Sequence, residues 1–136
     1  MPTITRFEDI EAWKTSRELT RMIYALTEQG KFTKDFGLKN QIQRASVSVM
    51  SNIAEGFESR TQAQFLEYLG RSKASAGEVR CQLYIAFDLK YLAQEQFNQV
   101  FDLADKSSRQ IALFMDYLEI HSQSHRVREE GSEYEA

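Results

Sequence analysis

"RASVSVMSNIAEG", residues 44–56, has helical sequence on both sides, yet it carries three serines, an asparagine and a glycine. Such residues neither favour a helix nor fill a core, so the reading of this stretch decides the fold. Taken as helix, it places Gln41, Arg44, Ser48, Asn52 and Glu55 on one face, at steps of three and four. Beside that polar ribbon runs an apolar stripe of Leu38, Ile42, Ala45, Val49, Ile53 and Phe57. The two faces together predict an amphipathic helix over roughly residues 38–58.

The sequence around it agrees. Pro2 is the only proline, so nothing interrupts long helices further on. No sustained alternation bounded by turn residues marks a strand. A first helix is expected over about residues 8–28, with Ala12, Ser16, Leu19, Ile23 and Leu26 as its stripe. Gly30 to Gly37 reads as a loop, with Phe32 and Phe36 folding back as plugs. After a tight turn at 59–61, Thr61 is placed to cap a third helix, with Gln64 completing a capping box. That helix is expected to reach about Lys90, along a heptad seam of Phe65, Leu69, Ser72, Ala76, Val79, Leu83 and Ala86. A fourth, over about 95–122, has the seam Phe97, Phe101, Ala104, Ser108, Ile111, Met115 and Leu118 but only Ala93 as its cap. Four long helices with short connections predict an all-α, up-down-up-down antiparallel four-helix bundle over residues 1–122. Residues 123–136 lack apolar periodicity and are expected to form a disordered acidic tail.

Composition narrows the function class. The net charge is −3, and residues 116–136 carry six acidic against two basic side chains. The rest is therefore near neutral and mixed in sign. Cys81 is the only cysteine, which excludes an intrachain disulfide and a cysteine-based zinc site. With no apolar span and no signal-peptide pattern, a cytoplasmic protein is expected.

If the second and third helices are antiparallel about Arg60, Arg44 faces Glu78, Ser48 faces Ser72 and Asn52 faces Tyr68. A structural polar network of Gln41, Arg44, Ser48, Asn52, Glu55 and Glu78 is expected there, with Arg44 and Glu78 as a buried pair within or between subunits. Leu66, Gly70, Ala74, Gly77 and Cys81 form a small-residue stripe, which predicts close approach of another backbone and a packed thiol at Cys81. Apolar and small residues cover more of these two helices than one bundle core needs, so a homo-oligomer is expected.

No histidine precedes His121, so serine and glutamate have no partner base, and no enzymatic activity is expected. His121 and His125 have helical metal-ligand spacing but no third ligand in register, and neither metal nor cofactor is expected. Lys14, Arg17 and Arg21 line one face of the first helix, and Lys34 and Lys39 lie in the basic segment 31–44. These five are the candidate nucleic-acid contacts, through phosphates and without a base-reading motif. The alternative partner is another protein, with the bundle serving as a scaffold.

Three stretches also carry a family resemblance. "QIQRASVSVMSNIAEG" (41–56) resembles the signature Q-I-x-R-A-x-x-S-[IV]-x-x-N-I-A-E-G of the 23S rRNA intervening-sequence proteins. "FEDIEAW" (7–13) is similar to that family's opening, and "SAGEVRCQL" (75–83) to its S-x-x-E-[LV]-x-x-Q-L segment. Met50 stands where relatives commonly have proline, so a straighter second helix is expected. The resemblance implies a bundle assembled as a ring-shaped homopentamer. It also implies an RNA-binding or ribonucleoprotein accessory role, as in the accessory proteins of diversity-generating retroelements.

Overall fold

The computed structural model describes the backbone of residues 3–135 and the side chains of residues 3–121. Four helices account for the fold among the described residues: α1 (Glu11–Thr27), α2 (Phe36–Phe57), α3 (Gln62–Asp88) and α4 (Gln94–Glu135). Short 3-10 turns at Phe7–Asp9 and Phe32–Lys34 precede α1 and α2. Each helix packs on its sequence neighbours, and α4 closes the bundle against α1. The pairings run antiparallel: Thr20 meets Ser46 and Thr27 meets Gln43, while Gln62 at the start of α3 reaches the Leu118 carbonyl. The expected tail at 123–136 lies outside the residues whose side chains are described.

The core follows the seams. Leu19 and Ile23 from α1, Ile42, Val49 and Ile53 from α2, Leu69, Val79 and Leu83 from α3, and Val100 and Ile111 from α4 are fully buried. On α3 the steps of three and four from Leu69 to Ala86 are all buried, Ser72 included. The capping box forms at Thr61: its hydroxyl accepts from the Gln64 amide at 3.1 Å, and the Gln64 side chain accepts from the Thr61 amide at 3.3 Å. At α4 only half of that device exists. Gln96 Oε1 accepts from the Ala93 amide at 2.9 Å, and alanine has no oxygen to return the bond.

Two loops meet at one end of the bundle. Phe32 is buried and its ring lies 5.2 Å from that of Tyr91, as its role of plug requires. Phe36 differs from expectation. Asp35 caps α2 by accepting from the Leu38 amide at 3.1 Å, so helix begins at Phe36 itself and carries that ring outward, 70% exposed. The second Asp35 oxygen accepts from the Tyr91 hydroxyl at 3.0 Å, a bond that holds the phenol pKa above its usual value. α3 ends two residues before Lys90, which adopts a left-handed conformation with φ +61°. The Lys90 and Tyr91 amides donate back to Phe87 and Ala86, the paired bonds of a Schellman cap.

Candidate functional site

α2 carries polar residues on two flanks, and its neighbours treat them differently. Toward α1, the Thr20 hydroxyl donates to the Ser16 carbonyl or the Ser46 carbonyl, at 2.8 and 3.0 Å. The Gln43 amide donates to the buried Thr27 hydroxyl at 2.9 Å, and Thr27 donates to the Ile23 carbonyl. This seam is closed and partnered. Sequence reasoning missed it, although the hydroxyl residues Ser16, Thr20 and Thr27 at helical spacing on the core side of α1 were a visible signal.

Toward α3 the flank opens into a groove of about 290 Å3, lined by Gln41, Arg44, Ala45, Ser48, Ser75, Glu78 and Gln82. Four of the six predicted network residues meet here: Gln41, Arg44, Ser48 and Glu78. Asn52 joins them through Ser48, donating to its hydroxyl and its carbonyl at 2.9 Å each. Ser48 pairs with Ser75 at 2.9 Å rather than with Ser72, whose hydroxyl donates to the Val49 carbonyl instead. Neither Tyr68 nor Glu55 enters the groove.

Within one copy, the expectation of a buried Arg44–Glu78 pair is corrected. Both residues are exposed, and they are not among the ion pairs within 4.0 Å. The groove therefore presents a cation on one wall, an anion on the other and a serine pair between them. Gln82, on the α3 wall, is buried, and its Oε1 has no hydrogen-bond partner.

The small-residue stripe is corrected as well. A Cβ at Gly70 has only the Met115 methyl near it, at 4.0 Å, and one at Gly77 only an Arg80 nitrogen at 3.7 Å. The close approach is at Gly56, where a Cβ would sit 2.8 Å from both Phe65 Cδ1 and Tyr68 Cβ. Cys81 is exposed, not packed. The α2–α3 pair is thus tight near its turn and open at the far end.

The basic residues lie apart from the groove's floor. Lys14, Arg17 and Arg21 are exposed along α1; Lys14 pairs with Glu11 at 3.3 Å, and the Arg17 guanidinium sits 5.7 Å from the Trp13 ring centre. Lys34 is exposed in the loop. Lys39 differs: its side chain is 18% exposed and pairs with Glu28 at 3.1 Å. Of the two histidines, His121 donates to the Tyr117 carbonyl at 2.8 Å, and His125 falls outside the described side chains.

The sequence profile described as 23S rRNA-intervening sequence protein matches residues 8–112. Among solved structures, the chain is similar to a protein of unknown function from the S23 ribosomal protein family of Bacteroides thetaiotaomicron VPI-5482. The two share 20% identity over 77% of this chain and 95% of that one, with a TM-score of 0.71. At that identity the likeness concerns the fold alone. No curated protein matches.

Proposed function

The chain belongs to the 23S rRNA-intervening sequence protein family, and from that premise we propose that it is a non-enzymatic, homo-oligomeric accessory of RNA or of a ribonucleoprotein. The observation that carries the RNA reading is the distribution of unpaired cations. Arg17, Arg21, Lys31 and Lys34 are exposed and belong to no ion pair among the described residues. Of the nearby anions, Glu11 and Glu28 are paired with Lys14 and Lys39 and Asp35 accepts a hydrogen bond at each oxygen; Glu18, exposed between Arg17 and Arg21, is outnumbered by the four cations. A phosphate backbone approaching this end of the bundle meets free positive charge, although the whole chain is acidic.

Assembly is supported by apolar surface that a single copy leaves uncovered. Tyr84, Ile85 and Leu89 on α3 and Leu113 and Ile120 on α4 are exposed. A groove of about 400 Å3 between the N-terminal segment and α4 is lined mainly by Ile4, Ala12, Leu113, Phe114 and Tyr117. An apolar groove of this kind, with the exposed Leu113 on its wall, fits a protein contact. A pentameric ring would repeat the cationic surface five-fold and convert weak contacts into avidity. The same apolar surface favours the second reading, a scaffold whose partner is a protein. Among the described residues no helix is long and apolar enough to cross a membrane.

Filter binding of RNA across a salt series tests the proposal. Each phosphate neutralised adds about one unit to the log–log salt slope. Replacing Arg17, Arg21, Lys31 and Lys34 with glutamine is expected to abolish retention without changing the helical signal. Light scattering is expected to give a mass near five chains. Loss of all RNA binding by the intact protein at low salt leaves the scaffold reading in its place.

A further inference from the structure

The aromatic side chains divide into two groups. Most are in ring contacts: Tyr84, exposed as it is, lies 5.5 Å from Phe97 and 5.3 Å from Phe101. Phe36 and Tyr24 are different. They are 70% and 43% exposed, and neither ring pairs with another among the described residues. An apolar ring at the first position of a helix, held in water, contributes nothing to the bundle's core. It requires another account.

Their placement supplies one. Tyr24 lies in the last two turns of α1 and Phe36 opens α2, so both are at the end of the bundle closed by the 28–35 connection. Arg17, Arg21 and Tyr24 follow one another at steps of four and three on one face of α1. Lys31 and Lys34 precede Phe36 in the connection. Each exposed ring is therefore preceded in the chain by two exposed cations that form no ion pair among the described residues, with Glu18 the one exposed, unpaired anion among them. Arg17 and Arg21 are one turn apart, a rise of about 6 Å at 1.5 Å per residue, within reach of successive phosphates on an extended strand. Cations tracking a backbone between rings that offer a bare face are the recognition elements of a single-stranded nucleic acid. A duplex keeps its bases stacked inside and can use the cations only.

We propose that Phe36 and Tyr24 are base-stacking platforms, and that the α1–α2 end of the bundle takes unpaired, single-stranded RNA in preference to duplex. This rests on the RNA reading above and deepens it by naming the substrate class. It also assigns a use to Phe36 that no packing explains.

The test uses fluorescence anisotropy with labelled oligoadenylate, and with the same strand annealed to oligouridylate, on the full-length protein. The unaltered protein is expected to bind the single strand more tightly. Phe36→Ala and Tyr24→Ala are each expected to weaken single-strand binding about five- to 150-fold, the range of one lost base stack. Duplex binding and the salt slope are expected to stay unchanged, because the cations remain. Tyr24→Phe, which keeps a ring, is expected to bind as the unaltered protein does. Both alanine substitutions remove exposed rings, so thermal melting and light scattering should show the same fold and mass. If both alanine variants bind the single strand normally while the four-fold glutamine variant does not, stacking is overturned and phosphate binding survives. If the unaltered protein binds neither RNA, both readings fall together.

Discussion

The two flanks of α2 carry much the same residues to opposite ends. Toward α1, Gln43 and Ser46 lie in a closed seam whose hydroxyls and amide find partners within the bundle. Toward α3, Gln41, Arg44 and Ser48 line an open groove in which a cation and an anion face solvent. The difference lies in the neighbouring helix. α1 presents Thr20 and Thr27 at the height where α2 presents a carbonyl and an amide, and the helices close on them. α3 is drawn tight to α2 at Gly56 and Ser72 and offers long side chains, Glu78 and Gln82, further along. Polar residues on a helix are thus neither inside nor outside by type; the partner's side-chain length at that level decides.

The strongest way to break this contrast is to push the tight end apart. Gly56→Ala places a Cβ at 2.8 Å from Phe65 and Tyr68 and 3.3 Å from the Phe65 carbonyl. Although alanine favours helix, overpacking is expected to destabilise by about 1–3 kcal/mol, read as a lower denaturant midpoint. Opening the closed seam comes next. Thr27→Val keeps the shape but removes the acceptor of the Gln43 amide and the bond to Ile23. A loss of about 1–2 kcal/mol is expected in urea melts.

The remaining two pairs of substitutions sharpen the comparison through effects that are small or reversed. Gly70→Ala and Gly77→Ala meet nothing closer than 3.7 Å, so each is expected to stabilise by about 0.5–1 kcal/mol through helix propensity alone. Opposite signs for glycines on facing helices would locate the close approach by thermal melting. Arg44→Ala and Glu78→Ala are expected to change stability by less than about 0.5 kcal/mol each, and additively. A buried pair broken on one side costs about 3–5 kcal/mol. A double-mutant cycle showing coupling of that size would mean that the pair closes in solution, within one copy or between two.

Much of the bundle was legible because its signals are local. The seam of α3, the Thr61–Gln64 box and the Phe32 plug depend on spacing within a few residues, and each is found where spacing puts it. The misreadings are all relational. Gly37 suggests loop and so makes Phe36 a plug, while Asp35, a good capping residue, starts the helix at Phe36, two residues before the apolar stripe begins at Leu38. Gly70 and Gly77 looked like contact glycines by position, but only the register of α2 on α3 assigns that part to Gly56. That register also moved the partner of Ser48 from Ser72 to Ser75. For the candidate sites, residue type placed the cations on the surface, whereas the pairing of Lys39 with Glu28 needed the fold. The exposure of Tyr24 and Phe36 is equally invisible in one dimension, since an aromatic at helical spacing reads as core.

The bond from Tyr91 to Asp35 joins two helical hairpins across residues 56 apart in the chain. Such a long-range contact is expected to form after α1–α2 and α3–α4 have each turned back and docked, late in folding. In a chevron plot, Tyr91→Phe is expected to leave the refolding arm in place and raise the unfolding arm. The clasp at this end of the bundle is thus expected to act as a latch, lengthening the life of the folded chain without speeding its folding.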